Sequence, residues 1–165
     1  MFLKTSRLFL RNLRPEAAPI IHDYRNDPDC AKYQRWEDIS ASSVMAFVEN
    51  YADCDFLSKQ EEQHYAISLN SGAFVGDLSY FYTEADRCIT LGITIAPEYQ
   101  HQGIAREILE AVIKAAQQKH PMLDLVALVD PENDASIRLF EYLGFYRECY
   151  AESIRSYVYV FDGIR

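Results

Sequence analysis

Between Ile95 and Arg106 the chain reads Ile-Ala-Pro-Glu-Tyr-Gln-His-Gln-Gly-Ile-Ala-Arg, and no other segment is so plainly disposed for chemistry. A β-like apolar run ends at Ile95, Pro97 forbids its continuation, and a polar turn opens directly into a long helical pattern. The first amides of a helix have no partner within it. With the positive end of the helix dipole they form an anion site. Gly103 lets an anion approach the backbone with no Cβ in the way. Phosphate is the obvious anion. Arg106, in the first turn, opposes the dipole, so it either serves that phosphate or is an ordinary solvated arginine. The turn has neither the lysine of a nucleoside-triphosphate loop nor the three glycines of a dinucleotide fold.

Such a turn is useful only if rigid elements hold it. Arg7 to Leu13 alternates apolar and polar side chains, the period of a half-buried strand. Pro15 suits a first helical turn, and Ile20, Ile21 and Tyr24 give a short helix that Asp27-Pro28 ends. Ser40 or Ser42 can cap a second helix carrying Val44, Phe47, Val48 and Tyr51. From His64 to Tyr82, two strand patterns flank a turn at Asn70-Ser71-Gly72, which predicts an antiparallel hairpin. Cys88 to Ile95 is a third meander strand. The helix from Gly103 to about Lys119 has Ile104, Ile108, Leu109, Val112 and Ala116 on one face, and Leu123 to Val129 reads as a buried strand. Strand, helix and strand at this spacing predict a crossover between parallel neighbours. A helix over Ala135 to Leu143 closes at Gly144, and Ser153 to Phe161 reads as a last strand.

Composition narrows the function classes. The 165 residues, 49% of them hydrophobic, suffice for one domain over 1–165. A net charge of −9 argues against nucleic acid as a partner. It is compatible with a cationic acceptor. No signal-peptide core and no apolar run long enough to span a bilayer occur, so no membrane partner and a cytoplasmic location are expected. Cys30, Cys54, Cys88 and Cys149 lack the close spacing of a metal or redox motif; reduced thiols and no metal are expected.

The turn has the form Gln100-x-x-Gly103-x-Ala105, which resembles the acyl-CoA pyrophosphate loop of the GNAT N-acetyltransferase superfamily. Pro131-Glu132-Asn133-Asp134-Ala135-Ser136 followed by Gly144-Phe145 is similar to that family's Asn-x-x-Ser helix ending in Gly-Phe. With Thr5-Ser6-Arg7-Leu8-Phe9-Leu10-Arg11, the pattern is most similar to the ribosomal-protein N-acetyltransferase-like branch and covers nearly the whole chain. The resemblance implies an α/β (α+β) fold with a mixed, mostly antiparallel central sheet flanked by helices, opened between the Ile93 and Val126 strands. It implies acetyl-CoA as co-substrate and an amine acceptor, a protein N-terminus or a small molecule. The backbone of Ile93 and Ile95 would pair with the pantetheine arm. Amides from His101 through Gln102, Gly103, Ile104 and Ala105 to Arg106 would hold the pyrophosphate. Asn133 would bond the pantetheine, or cap a helix, or both.

The chain also departs from the family. Where many members have a tyrosine that protonates the leaving thiolate, it has Phe140, which has no proton to give. Tyr142 lies some 200° around the helix and cannot substitute. Ser136 is the nearest hydroxyl, either as that acid or bonded within its own helical turn. Where many members have a carboxylate ahead of the glycine, the chain has Thr90-Leu91-Gly92, and threonine is no base at neutral pH. Asp77 or Glu37 could serve, directly or through one water; each could equally be a surface carboxylate. Tyr33, Trp36, Tyr80, Phe81 and Tyr82 are either acceptor-pocket rings or ordinary core. A catalytically silent acyl-CoA-binding module is the competing reading. The aromatic last strand makes a homodimer an open expectation.

Overall fold

The computed structural model describes residues 1–59 and 62–162. Its strands are β1 (Leu3–Lys4), β2 (Leu8–Asn12), β3 (Glu62–Leu69), β4 (Phe74–Thr83), β5 (Cys88–Ile95), β6 (Asp124–Val129), β7 (Phe145–Ala151) and β8 (Ser156–Phe161). Its helices are α1 (Ala18–Asn26), α2 (Pro28–Ala31), α3 (Ala41–Asn50), α4 (Ile104–Lys119) and α5 (Asp134–Tyr142). The strands form one sheet in the order β1-β2-β3-β4-β5-β6-β8-β7. Every pairing is antiparallel except β5 with β6. This is the mixed, mostly antiparallel α/β fold that the sequence resemblance implied.

Alternation along the central strands divides the core in two. Tyr65 and Ile67 of β3 join Ile104, Ile108, Leu109 and Val112 of α4 in one buried cluster. Ala66, between them, joins Ile21, Tyr24, Val44 and Val48 of α1 and α3 in the other. Successive strand residues point to opposite faces, so α4 lies on one face and α1 with α3 on the other. Ser40 caps α3 by accepting the Ser43 amide, as one of the two expected serines. Among the described residues no helix is long and apolar enough to cross a membrane.

Three details differ from the sequence reading. Pro28 does not simply end a helix: it opens α2, with the Asp27 carboxylate capping the Asp29 and Cys30 amides. Proline suits a first helical turn as well as it breaks an interior one. The stretch after Gly144 forms β7, whose mostly exposed side chains conceal the strand period. Consequently the last strand, β8, starts at Ser156 and is paired on both sides, by β6 and β7. The sheet edges among the described residues are β1 and β7, so β8 cannot supply a backbone edge to a second copy.

The feature that positions the site is a divergence. The β5–β6 pairing covers only Cys88–Asp124, Ile89–Leu125 and Thr90–Val126. Beyond Thr90, β5 continues against β4 through Ile95, while β6 continues against β8 through Val129. The two parallel strands therefore part, leaving one edge of β5 from Leu91 to Ile95 without a strand partner.

Candidate active site

The parted strands lead β5 into the glycine turn. Pro97 to Tyr99 form a 3-10 turn, and Gln100 folds its side chain back to donate to the Ile95 carbonyl at 2.9 Å. His101 and Gly103 both adopt left-handed backbone, with φ of 60° and 75°. Only glycine takes that conformation without strain, and such curling gathers successive N–H groups into an anion-binding concavity. Gly103 is the N-cap of α4 and has no side chain to cap with. The leading amides of α4, at Ile104, Ala105 and Arg106, thus keep no intrahelical acceptor.

The N-terminal segment clamps this turn from behind. Glu107 accepts from the Thr5 hydroxyl at 2.6 Å, the Arg7 amide at 3.1 Å and the Arg7 guanidinium at 2.6 Å. Arg7 also donates to the Gln102 carbonyl at 3.0 Å. Burial alone would raise the Glu107 pKa, but the hydrogen bonds from Thr5, Arg7 and Ser6 outweigh it and bring it down to about 2. The first turn of α4 thus carries an acid that stays ionised, where the helix dipole favours negative charge.

A groove of about 450 Å³ runs from Gly103, Ala105 and Arg106 along Ile93, Thr94 and Ile95 to Asn133 and Ser136 of the α5 end. At Ile93, Thr94, Asn133 and Ser136 it meets a smaller polar cavity of about 140 Å³. That cavity in turn shares Tyr33, Ser79, Gly92 and Asp130 with a recess of about 310 Å³ on the far side. Gly92 leaves room for the Ser79 hydroxyl: a Cβ on it would lie 2.4 Å from Ser79 Oγ, which would have to turn away. The result is a row of three adjoining cavities along the divergence of β5 and β6, with the smallest, of about 140 Å³, between the two larger ones.

The small middle cavity is where titratable groups converge. Asp77 of β4 is only 6% exposed and lines the cavity. It accepts a hydrogen bond from the Tyr24 hydroxyl of α1. Burial and then the Asp77 charge hold the Tyr24 pKa well above its ordinary value, so this hydroxyl stays a donor. His64 of β3 is equally buried; its Nδ1 lies 3.6 Å from Asp77 and its Nε2 2.8 Å from Glu62. Arg25 of α1, 8% exposed, lines the same cavity. Cys30, at the edge of the groove, has its thiol pushed up to about 11 by burial, helped by Asp27 and Asp77. A thiol with that pKa is not a nucleophile at neutral pH.

The family model described as an acetyltransferase (GNAT) domain matches residues 7–146. The chain belongs to the GNAT acetyltransferases. The GNAT chain is 23% identical over 149 residues to the uncharacterized N-acetyltransferase YnaD of Bacillus subtilis (strain 168), spanning 90% of this chain and 84% of that one. It is 28% identical over 95 residues to the ribosomal protein bS18 alanine N-acetyltransferase of Escherichia coli (strain K12), spanning 58% and 64%. Its fold is similar, with a TM-score of 0.73 at 19% identity, to a Vibrio cholerae spermidine N-acetyltransferase solved with CoA and spermine. That likeness spans 94% of both chains.

Within this GNAT domain, the sequence-derived site residues fall into three groups. Ile93, Ile95, Gln100, His101, Gly103, Ile104, Ala105, Arg106, Asn133 and Ser136 line one groove. Gln102 does not; its side chain donates to Glu98 and its carbonyl serves the Arg7 clamp. Asp77 lies on the inner cavity with Asn133 and Ser136, whereas Glu37 is exposed and is not part of its lining. Arg106 is already engaged, 3.1 Å from Glu110 and stacked 3.9 Å over the Tyr142 ring. Asn133 caps α5 by accepting the Ser136 amide, which occupies its oxygen and leaves its amide nitrogen for another partner. Phe140 is core, packed on Phe145, while Tyr142 is exposed. Of the aromatic group, Tyr33 and Trp36 line the cavity and Phe81 the far recess, and Tyr80 is wholly buried. Arg25 and His64 are the cavity groups that sequence reasoning missed, with Tyr24 as the core hydroxyl that holds Asp77. No local pattern marks them, because each is an ordinary polar residue in a helix or strand until the sheet register brings it inward.

Proposed function

We propose that this acetyltransferase moves an acetyl group from acetyl-CoA directly to a primary amine, with Asp77 as the proton acceptor and Ser136 as the proton donor. One observation supports the reading most: the β5–β6 divergence joins a groove built of free helix amides to a cavity holding a buried carboxylate. Residues present fit the donor at both ends. The amides of Ile104 to Arg106 and the left-handed turn suit its pyrophosphate. The unpaired edge of β5 from Leu91 to Ile95, with the Asn133 side-chain amide opposite, suits the hydrogen-bonding pantetheine arm.

Acetyl-CoA supplies an activated acyl carbon as a thioester. Transfer forms a C–N bond to the acceptor and breaks the C–S bond, and one proton passes from nitrogen while sulfur gains one. Asp77 receives the proton from the amine, as a carboxylate that lines the cavity and whose second oxygen is not used by Tyr24. A base within hydrogen-bond reach, or one water away, contributes about 10² to 10⁴ in rate. His64 packs beside Asp77 and bonds Glu62 at 2.8 Å, which fixes the wall of the cavity on that side. Ser136, at the junction of groove and cavity, returns a proton to sulfur. Backbone amides of β5 near Ile95 polarise the carbonyl oxygen. The raised Cys30 pKa favours direct transfer over an acyl-cysteine route.

The test is release of free thiol from acetyl-CoA across amino acids, N-terminal peptides and polyamines. Binding of acetyl-CoA with stoichiometric turnover of some amine is expected. Binding without thiol release on any of them would establish the silent acyl-CoA-binding reading instead. The bS18 relative argues for a peptide N-terminus and the spermidine relative for a polyamine. Their cavities' contents, not the shared fold, must decide among acceptors.

A further inference from the structure

Arg25 is the group in the inner cavity that acetyl transfer leaves without a task. It sits in the last turn of α1, and its Cζ lies 4.1 Å from the Phe47 ring centroid and 5.2 Å from that of Trp36. Its Nε is buried with no hydrogen-bond partner. No carboxylate among the described residues lies within ion-pair distance of it. A guanidinium keeps its charge even when buried, and aromatic faces support a cation without neutralising it. Of the two carboxylates that line the same cavity, Asp77 is committed to the Tyr24 hydroxyl and faces His64, and Asp130 accepts the Glu132 amide. The cavity therefore presents a buried cation that lacks a counter-ion beside a buried anion placed to receive an ammonium.

We infer that Arg25 binds the carboxylate of the acceptor, so that the acceptor is a free amino acid, held as a zwitterion with its ammonium toward Asp77. This rests on the acetyl-transfer reading for the amine and adds the other half of the substrate. Guanidinium and carboxylate form charge-assisted, often bidentate, hydrogen bonds, and these are strongest where water is excluded. The head group occupies the cavity of about 140 Å³, and the side chain extends into the recess of about 310 Å³ lined by Phe81, Ile154 and Tyr33. A polyamine would place a second ammonium against Arg25, which like charges disfavour. A peptide N-terminus offers only a neutral carbonyl there and leaves the buried charge unmatched.

Two measurements test this on the whole chain. In the first, N-acetylglycine and N-methylacetamide, which differ by the carboxylate, are titrated against the protein saturated with CoA. N-acetylglycine is expected to bind at least about tenfold tighter, a preference that falls below about twofold in Arg25→Met and survives in part in Arg25→Lys. Equal binding of the two probes to the unaltered protein, or an undiminished preference in Arg25→Met, overturns the proposal; the first comparison needs no variant. In the second, leucine, leucinamide and isopentylamine are compared as acceptors. Arg25→Met is expected to lower kcat/KM for leucine about a hundredfold, chiefly through KM, and to lower the leucine-to-isopentylamine ratio of kcat/KM by at least about thirtyfold. Preference of the unaltered protein for leucinamide over leucine overturns it. If CoA binds yet no amine is acetylated, acetyl transfer fails, while the paired amide titration still decides the role of Arg25.

Discussion

The groove and the small cavity beside it are built by different means. On the donor side, the turn from Gln100 to Arg106 presents backbone groups, and its side chains mostly fix the turn itself: Gln100 to Ile95, Gln102 to Glu98, Arg7 and Thr5 to Glu107. On the acceptor side, side chains from α1, β3, β4 and α5 meet in one small cavity. Backbone amides at a helix start recognise any phosphate, so that half of the molecule can stay the same while its partner end changes. The cavity is specific because each buried polar group must be matched by the guest or left unsatisfied. On the proposed reading, the groove is a fixed fitting and the cavity selects the acceptor.

Substitutions that separate the two halves put this contrast at risk. The largest effect is expected for Asp77→Asn, which should lower kcat by about 10² to 10⁴ while changing the acetyl-CoA Kd by less than about twofold. Stopped-flow turnover and calorimetry on the same preparation read both quantities; an unchanged kcat would move the base elsewhere. The opposite split is expected for Gly103→Val. A β-branched residue at φ of 75° is strained, so acetyl-CoA binding should weaken roughly 10- to 100-fold with kcat at saturating donor largely kept. If kcat collapsed as well, the halves would not be separable. Ser136→Ala should cost up to about a hundredfold in kcat, measured with acetyl-CoA and with a donor whose thiol leaves more readily. A loss that does not shrink with the better leaving group would assign Ser136 to helix structure alone.

The smallest effect concerns the clamp. Glu107→Gln should lower stability by about 1 to 2 kcal/mol in urea denaturation at neutral pH. The folded-state pKa of about 2 lies below the ordinary 4.5. The contribution is therefore fully present above about pH 4.5 and is lost as the pH falls toward 2. Stability curves of the two proteins should converge over that interval. Curves that stay parallel down to pH 2 would show that the clamp is not held by the ionised carboxylate.

How much of this was readable in advance follows from the same contrast. The turn, its proline, the helix after it and its apolar face all lie within one continuous stretch from Ile95 to Lys119, and local rules of period and capping apply to each. The helix at Asn133 and its closure at Gly144 were equally local. What misled was local ambiguity: Asp27-Pro28 signals a helix end and a helix start alike, and β7 hides its period because Tyr146 to Tyr150 are exposed on both faces. Arg106 lines the groove; its pairing with Glu110 four residues on is legible as a helix i,i+4 pair, but its stacking on Tyr142 required knowing that the fold brings the end of α5 to the first turn of α4.

By itself, then, the sequence determined the elements and the glycine turn that opens α4, since each depends on neighbours a few residues away. Only the tertiary structure decided what Asp77 faces. Its hydroxyl partner Tyr24 is 53 residues distant in sequence. His64 reaches it because β3 and β4 pair Ala66 with Asp77 and His64 with Ser79, which puts all four on one face of the sheet. Periodicity states that a side chain points inward; register and helix packing state what it meets there. The parting of β5 from β6 is of the same kind, because no residue in either strand encodes it alone: it arises where β4 and β8 hold the two strands apart.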